Sequence, residues 1–178
     1  MKVTASGTGK HPADANIPND ISKLTNGEYE NWYWKQTPDA QPWMDDTPEF
    51  PAWVQFEFPV PTNISSVVMY ACPPWQWQGT LVGHEVQAED EGKWVTIGRI
   101  TEPIRTFAVY SPPTRTSVDS FFSDRWIFWH SFKQPVTTSK LRILVHDTTY
   151  GGGATKQVVE AGGQTAPHQM MLREIEIY

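Results

Sequence analysis

Two tryptophans, Trp75 and Trp77, sit two residues apart in the proline-stiffened polar stretch Cys72-Pro73-Pro74-Trp75-Gln76-Trp77-Gln78-Gly79-Thr80. A flat indole on a stiff backbone is a platform for the apolar C–H face of a sugar ring, and neighbouring amides suit its rim of hydroxyls. The prolines reduce the entropy lost when such a platform is held in place. Trp43, beside the acidic pair Asp45 and Asp46, is a third candidate platform. Asp45, Asp46, Arg115, His146, Asp147 and Tyr150 are candidate ligand contacts in the same kind of segment, the charged ones as readers of hydroxyl groups. The bland alternative is that the rings are lids over a core and the charges are turn formers.

Catalytic chemistry has little support. Glycosidases place two carboxylates across a scissile bond, but Asp45 and Asp46 are adjacent and point apart on an extended chain. The sequence has no GxSxG elbow, HExxH helix, paired CxxC or phosphate-binding glycine loop. Gly151-Gly152-Gly153 lacks the Lys-Ser/Thr that would make it one. The single cysteine, Cys72, excludes an internal disulfide and reads as a small buried hydrophobe at a strand end. The expected protein is not an enzyme.

The elements that must position these residues are strands. Hydrophobic residues make up 39% of the 178, yet 13% are aromatic and nine are tryptophan, so much of the apolar material is large rings. Fifteen prolines and twelve glycines argue for many turns and against long helices. With a net charge of −6 and its fourteen Lys and Arg scattered, the chain lacks the basic footprint of a nucleic-acid binder, and an anionic membrane surface is disfavoured for the same reason. One domain spanning 1–178 is expected, in an all-β class.

Alternating apolar and polar residues predict strands over about 53–58, 64–71, 83–89, 94–99, 125–132, 139–146 and 171–178, with shorter ones at 2–6 and 32–34. His84 and His130 fall on core-facing positions, and Asp90-Glu91-Gly92 makes a tight turn. The connections at 59–63, 90–93 and 133–138 are short; those at 35–52, 72–82, 100–124 and 147–170 are long. Short and long alternate, so strands running up and down gather every long loop at one end. Long excursions in a compact domain are usually functional, and the candidate ligand contacts lie in them, apart from His146 at the end of the strand before one.

The order and spacing of several pieces resemble the discoidin, or coagulation factor V/VIII type C, superfamily and its relatives among family 32 carbohydrate-binding modules. These pieces are Leu24-Thr25-Asn26-Gly27, Pro51-Ala52-Trp53-Val54-Gln55-Phe56-Glu57-Phe58, Ile64-Ser65-Ser66-Val67-Val68-Met69-Tyr70, the run from Gly83 to Trp94, Ser139-Lys140-Leu141-Arg142-Ile143-Leu144-Val145 and Leu172-Arg173-Glu174-Ile175-Glu176-Ile177. The resemblance implies a galactose-binding-like jelly-roll β-sandwich of two antiparallel sheets that binds its ligand with loops at one end. It also implies a structural Ca²⁺ held by an early loop and an acid of the last strand. The matching positions are Asn26, Glu28, Asn31 and Glu174, with Asn26 standing where an aspartate is usual.

The expectation is therefore a monomeric, non-catalytic module that binds a polysaccharide or oligosaccharide. By family habit it is attached to a catalytic domain in a secreted, extracellular polysaccharide-degrading enzyme. The alternative is a discoidin-like adhesion domain for protein or lipid.

Overall fold

The computed structural model describes residues 1–7, 20–27, 43–45, 50–71, 78–100, 120–122, 127–150, 153–154 and 170–178. The strands are β1 (Lys2–Ala5), β2 (Trp43–Asp45), β3 (Ala52–Ala71), β4 (Gln78–Asp90), β5 (Lys93–Ile100), β6 (Ser120–Phe122), β7 (Ile127–Tyr150), β8 (Gly153–Ala154) and β9 (Met170–Ile177). One 3-10 turn, Ile21–Thr25, is capped by Asp20, whose carboxylate accepts the Ser22 N–H at 2.8 Å. The strand expected at 32–34 lies outside the described residues.

All pairings are antiparallel, and the ladder runs β2-β9-β3-β7-β4-β5. The connections expected at 59–63 and 133–138 do not separate strands. β3 and β7 pass straight through them as a long two-stranded ribbon, with register shifts between Glu57/Thr62 and Ile64/Ser66. Pro59, Pro61 and Pro135 read as strand breakers in the sequence, but proline lacks only the N–H, and a ribbon that is changing register has ladder bonds to spare there.

That ribbon doubles back on itself, which turns one ladder into two facing layers. Val54, Phe56, Val86, Leu141 and Ile143 from one layer share a core with Val67, Met69, Phe128, Leu172 and Ile175 from the other. β4, in the first layer, packs on β9, in the second. His84 of β4 meets Phe128 of β7 edge-on at 4.9 Å between ring centres, and its Nε2 lies 2.8 Å from Nε2 of His130. Both histidines are fully buried, as their core-facing alternation predicts.

This packing fixes which chain segments share an end. In one layer Ala52 stands opposite Val145, Val145 opposite His84, and His84 opposite Ile100. In the other, Tyr70 stands opposite Ile127 and Glu174, and Leu172 opposite Ala71 and Trp43. The contacts of His84 with Phe128 and His130 join the two rows, so they form one end of the sandwich. The segments after Ala71 and Ile100 and those before Ala52 and Ile127 all open there, and β7 runs on past it to Tyr150, paired with β4.

The opposite end carries the ribbon's corner, where Thr62 pairs Thr138 and the Thr138 hydroxyl donates to the Glu89 carbonyl at 2.9 Å. The β4–β5 turn is there too. Glu91 (φ 48) and Gly92 (φ 77) are both left-handed, the geometry that lets a two-residue hairpin follow the strand twist.

Candidate functional site

On β4 the inward positions are His84, Val86 and Ala88, so Glu85, Gln87 and Glu89 face out over the first layer. β5 presents Trp94, Thr96 and Arg99 opposite them, and β7 presents Arg142 alongside. The register shift between Val86 and Gln87 returns Arg99 to the outer face beside Glu85.

Glu85 is the hub. Its Oε1 accepts from Arg99 Nη2 at 2.9 Å and from His146 Nε2 at 3.1 Å. Its Oε2 accepts from Gln87 Nε2 at 2.9 Å and from the Thr96 hydroxyl. The Gln87 carbonyl in turn accepts from Arg142 Nε at 2.9 Å and Nη2 at 2.6 Å. The Arg142 guanidinium lies 4.3 Å from the centre of the Trp94 ring. Burial pushes the Glu85 carboxyl up, but hydrogen bonds from Thr96, Gln87 and His146 and the Arg99 charge outweigh it, holding it below the usual carboxylate range. It is a buried anion at neutral pH. Desolvation lowers Arg142 and Glu85 opposes that shift.

The sequence placed His146 among the ligand contacts but missed the rest of this cluster. Glu85, Gln87, Thr96, Arg99 and Arg142 read only as the polar face of three strands. Alternation carried only part of the signal: it turns Glu85 and Gln87 outward beside Thr96, whereas Arg99 falls on the opposite parity and joins them only through the register shift.

The other expected contacts fare differently. Trp43 is corrected. It is not a loop platform but a residue of β2, opposite Leu172, and its indole is fully buried in the core. Its local sequence is polar, so only the pairing with β9 shows that the ring turns inward. The Asp147 carboxylate accepts the Thr148 N–H at 2.8 Å, a backbone-directing role at the end of β7. Asp45 pairs Met170 and Tyr150 pairs Gln78 through their backbones. Trp75, Trp77, Asp46, Arg115 and Cys72 lie outside the described residues.

Of the four expected metal ligands, Asn26 and Glu174 are described, and the chain brings them close. Asn26 ends the 3-10 turn, and Gly27 follows in a left-handed conformation (φ 80). The Gly27 N–H donates to Glu174 Oε2 at 3.0 Å, tying the early loop to β9. The Glu174 side chain is buried. Glu28 and Asn31 lie outside the described residues. Among the described residues no three His, Cys, Asp or Glu converge as a metal cage. Among the described residues the candidate cradle offers the Glu174 carboxylate and the Asn26 side chain, hard oxygens of the kind Ca²⁺ takes.

Solved structures with this architecture include family 32 carbohydrate-binding modules. The module of Clostridium perfringens NanJ in complex with galactose superposes with a TM-score of 0.57 at 10% identity, over 99% of this chain and 91% of that one. The family 32 module of AlyQ in complex with 4,5-unsaturated mannuronic acid gives 0.54 at 12% identity, over 100% and 94%. A pectin-binding module gives 0.53 at 15% identity, over 99% and 88%. The chain thus has the discoidin-like, galactose-binding-like sandwich fold of that family. No protein-family model matches the sequence, and no curated protein does.

Proposed function

We propose that the protein is a non-catalytic carbohydrate-binding module that holds a polysaccharide or oligosaccharide at the end of the sandwich where its long connections emerge. The observation that carries this reading is the register. It gathers the openings after Ala71 and Ile100, and those before Ala52 and Ile127, at one end of a fold shared with sugar-binding modules. The structural neighbours are named for galactose, pectin and an unsaturated mannuronic acid, so the class of ligand is supported by several sugars rather than one. Trp75 and Trp77 are the proposed stacking platforms, with Asp45, Asp46, Arg115, His146 and Tyr150 as polar contacts. We place the module in a larger extracellular polysaccharide-degrading enzyme, acting as a monomer that keeps the catalytic domain near its substrate.

Asn26, Glu28, Asn31 and Glu174 are the proposed Ca²⁺ ligands, and the ion would supply a cross-link between the early loop and the last strand rather than any chemistry on the sugar. The Gly27–Glu174 bond supports this, because it already holds the acid of the last strand against that loop.

The test is retention in affinity gels containing immobilised glycans, chosen after a glycan-array screen. A single stacking platform is worth about 1–3 kcal/mol, so Trp75→Ala or Trp77→Ala removes detectable retention by a module whose affinity is roughly micromolar to millimolar. Melting temperatures stay near that of the parent. If both variants bind like the parent, the platforms lie elsewhere.

A further inference from the structure

The cluster around Glu85 has an unbalanced hydrogen-bonding capacity. A carboxylate offers about four lone-pair sites, and Glu85 uses them on Arg99, His146, Gln87 and Thr96. The Gln87 amide is committed on both sides, its carbonyl to Arg142 and its nitrogen to Glu85 and Thr96. The acceptors of this patch are saturated from within. What faces water is chiefly the Arg99 guanidinium, a pure donor: its side chain is 51% exposed, while that of Glu85 is only 11% exposed. A guanidinium carries five N–H groups, and only the Nη2 contact with Glu85 engages Arg99 within this cluster. With Arg99 and Arg142 against one Glu85, the patch is locally cationic in a chain whose net charge is −6.

A neutral sugar hydroxyl both gives and takes hydrogen bonds and gains little from a guanidinium that only gives. An oxyanion only takes, and a guanidinium fork held in place by a buried carboxylate suits it. The location fits the same ligand. Arg99 is one residue from the end of β5, and His146 lies just before the last residues of β7, where two long connections leave the sandwich.

We propose that this rim receives the charged group of an acidic glycan, a uronate carboxylate or a sulfate ester, with Arg99 as the principal contact and Glu85 as the residue that positions it. The proposal rests on the reading that the long-loop end binds a glycan, and it names the class of glycan.

The intact protein is titrated with polygalacturonate and its fully methyl-esterified counterpart, and with a sulfated galactan and its desulfated form. Within at least one pair the charged member binds tenfold or more tighter, the advantage shrinks as salt rises from 50 to 500 mM, and the pair that responds distinguishes carboxylate from sulfate. Arg99→Gln removes the advantage, Arg99→Lys keeps part of it because the charge remains without the fork, and all three proteins melt alike. Lys133→Gln, at the opposite end of the sandwich, changes nothing. Equal binding of charged and neutral members, or an advantage that survives Arg99→Gln, overturns the acidic-glycan assignment while leaving the glycan reading intact. Binding to no glycan, charged or neutral, overturns both.

Discussion

The residues that decide most here are buried and polar. His84 and His130 share a hydrogen bond between Nε2 atoms across the two layers, which requires one ring to donate and the other to accept. The accepting ring must therefore be neutral, and burial disfavours charge on the donating one as well. Burial is the main cause that holds His84 well below its ordinary value, with His130 and His146 adding to it, and burial brings His130 down to about 3. The unfolded chain binds these protons near pH 6.5, so the folded state binds fewer below that pH. The contribution to stability is complete above about 6.5 and is lost as the pH falls toward the folded values, at up to about 1.4 kcal/mol per pH unit for each ring. Urea midpoints measured between pH 7 and 5 should fall accordingly, and the fall should be shallower in His130→Gln. A midpoint independent of pH across that range would mean that the rings titrate in the folded protein as they do in the unfolded chain.

Gly98 belongs to the same residue-scale picture. A Cβ built there lies 2.7 Å from His130 Nδ1 and 3.3 Å from the Phe132 ring. His130 has no room to retreat, because its far nitrogen is held by His84. Gly98→Ala is expected to destabilise by about 1–3 kcal/mol, the usual cost of overpacking. Chemical denaturation measures this directly, and an unchanged midpoint would show that the ring yields freely.

Among the elements, the β4–β5 hairpin is the one whose sequence and conformation agree most closely. Asp90-Glu91-Gly92 announces a tight turn, and the two left-handed residues, Glu91 and Gly92, deliver it. Gly92→Ala is expected to cost about 1–2 kcal/mol through φ alone, since nothing lies within 4 Å of the added methyl. A thermal melt of that variant within error of the parent would argue that the turn changes type.

The strands were legible where one face is core and the other is water. Val54 and Phe56 against Gln55 and Glu57 give β3 its first half at sight. The ribbon's corner was not legible, because Pro59, Pro61 and Pro135 signal breaks while the pairing simply shifts register around them. β2 was hidden too: a strand of three residues has no period, and Trp43 looks like a surface ring until β9 is placed beside it. The Glu85 cluster was half legible. Sequence alternation put Glu85 and Gln87 on the outer face, but Arg99 reaches it only through the register shift in β4–β5, and only the register of three strands shows that Arg99, His146 and Gln87 meet at one carboxylate.

At the scale of the whole molecule, β1 and β9 pair with opposite halves of β3, and the 3-10 turn Ile21–Thr25 packs on both. The proposed ion would tighten that packing. Adding Ca²⁺ at a hundredfold excess over its dissociation constant stabilises by about 2.7 kcal/mol, a rise of roughly 5–10 °C for a chain of this size. Glu174→Gln keeps an oxygen for the Gly27 N–H but removes the charge, so it should melt like the chelated parent and no longer respond to Ca²⁺. Identical melting curves for the parent with Ca²⁺ and with chelator would exclude the ion.

The central claim is that one end of the sandwich binds a glycan and the other does not. It is tested most directly by backbone amide NMR of the intact protein during titration with an oligosaccharide from the array screen. The account predicts shifts that saturate together at Ala71, Ile100, Ile127 and residues 146–150, with the corner residues 62–64 and 136–138 and the Glu91-Gly92 turn unmoved. Saturable shifts centred on the corner and the hairpin turn, with the long-loop end silent, would contradict it.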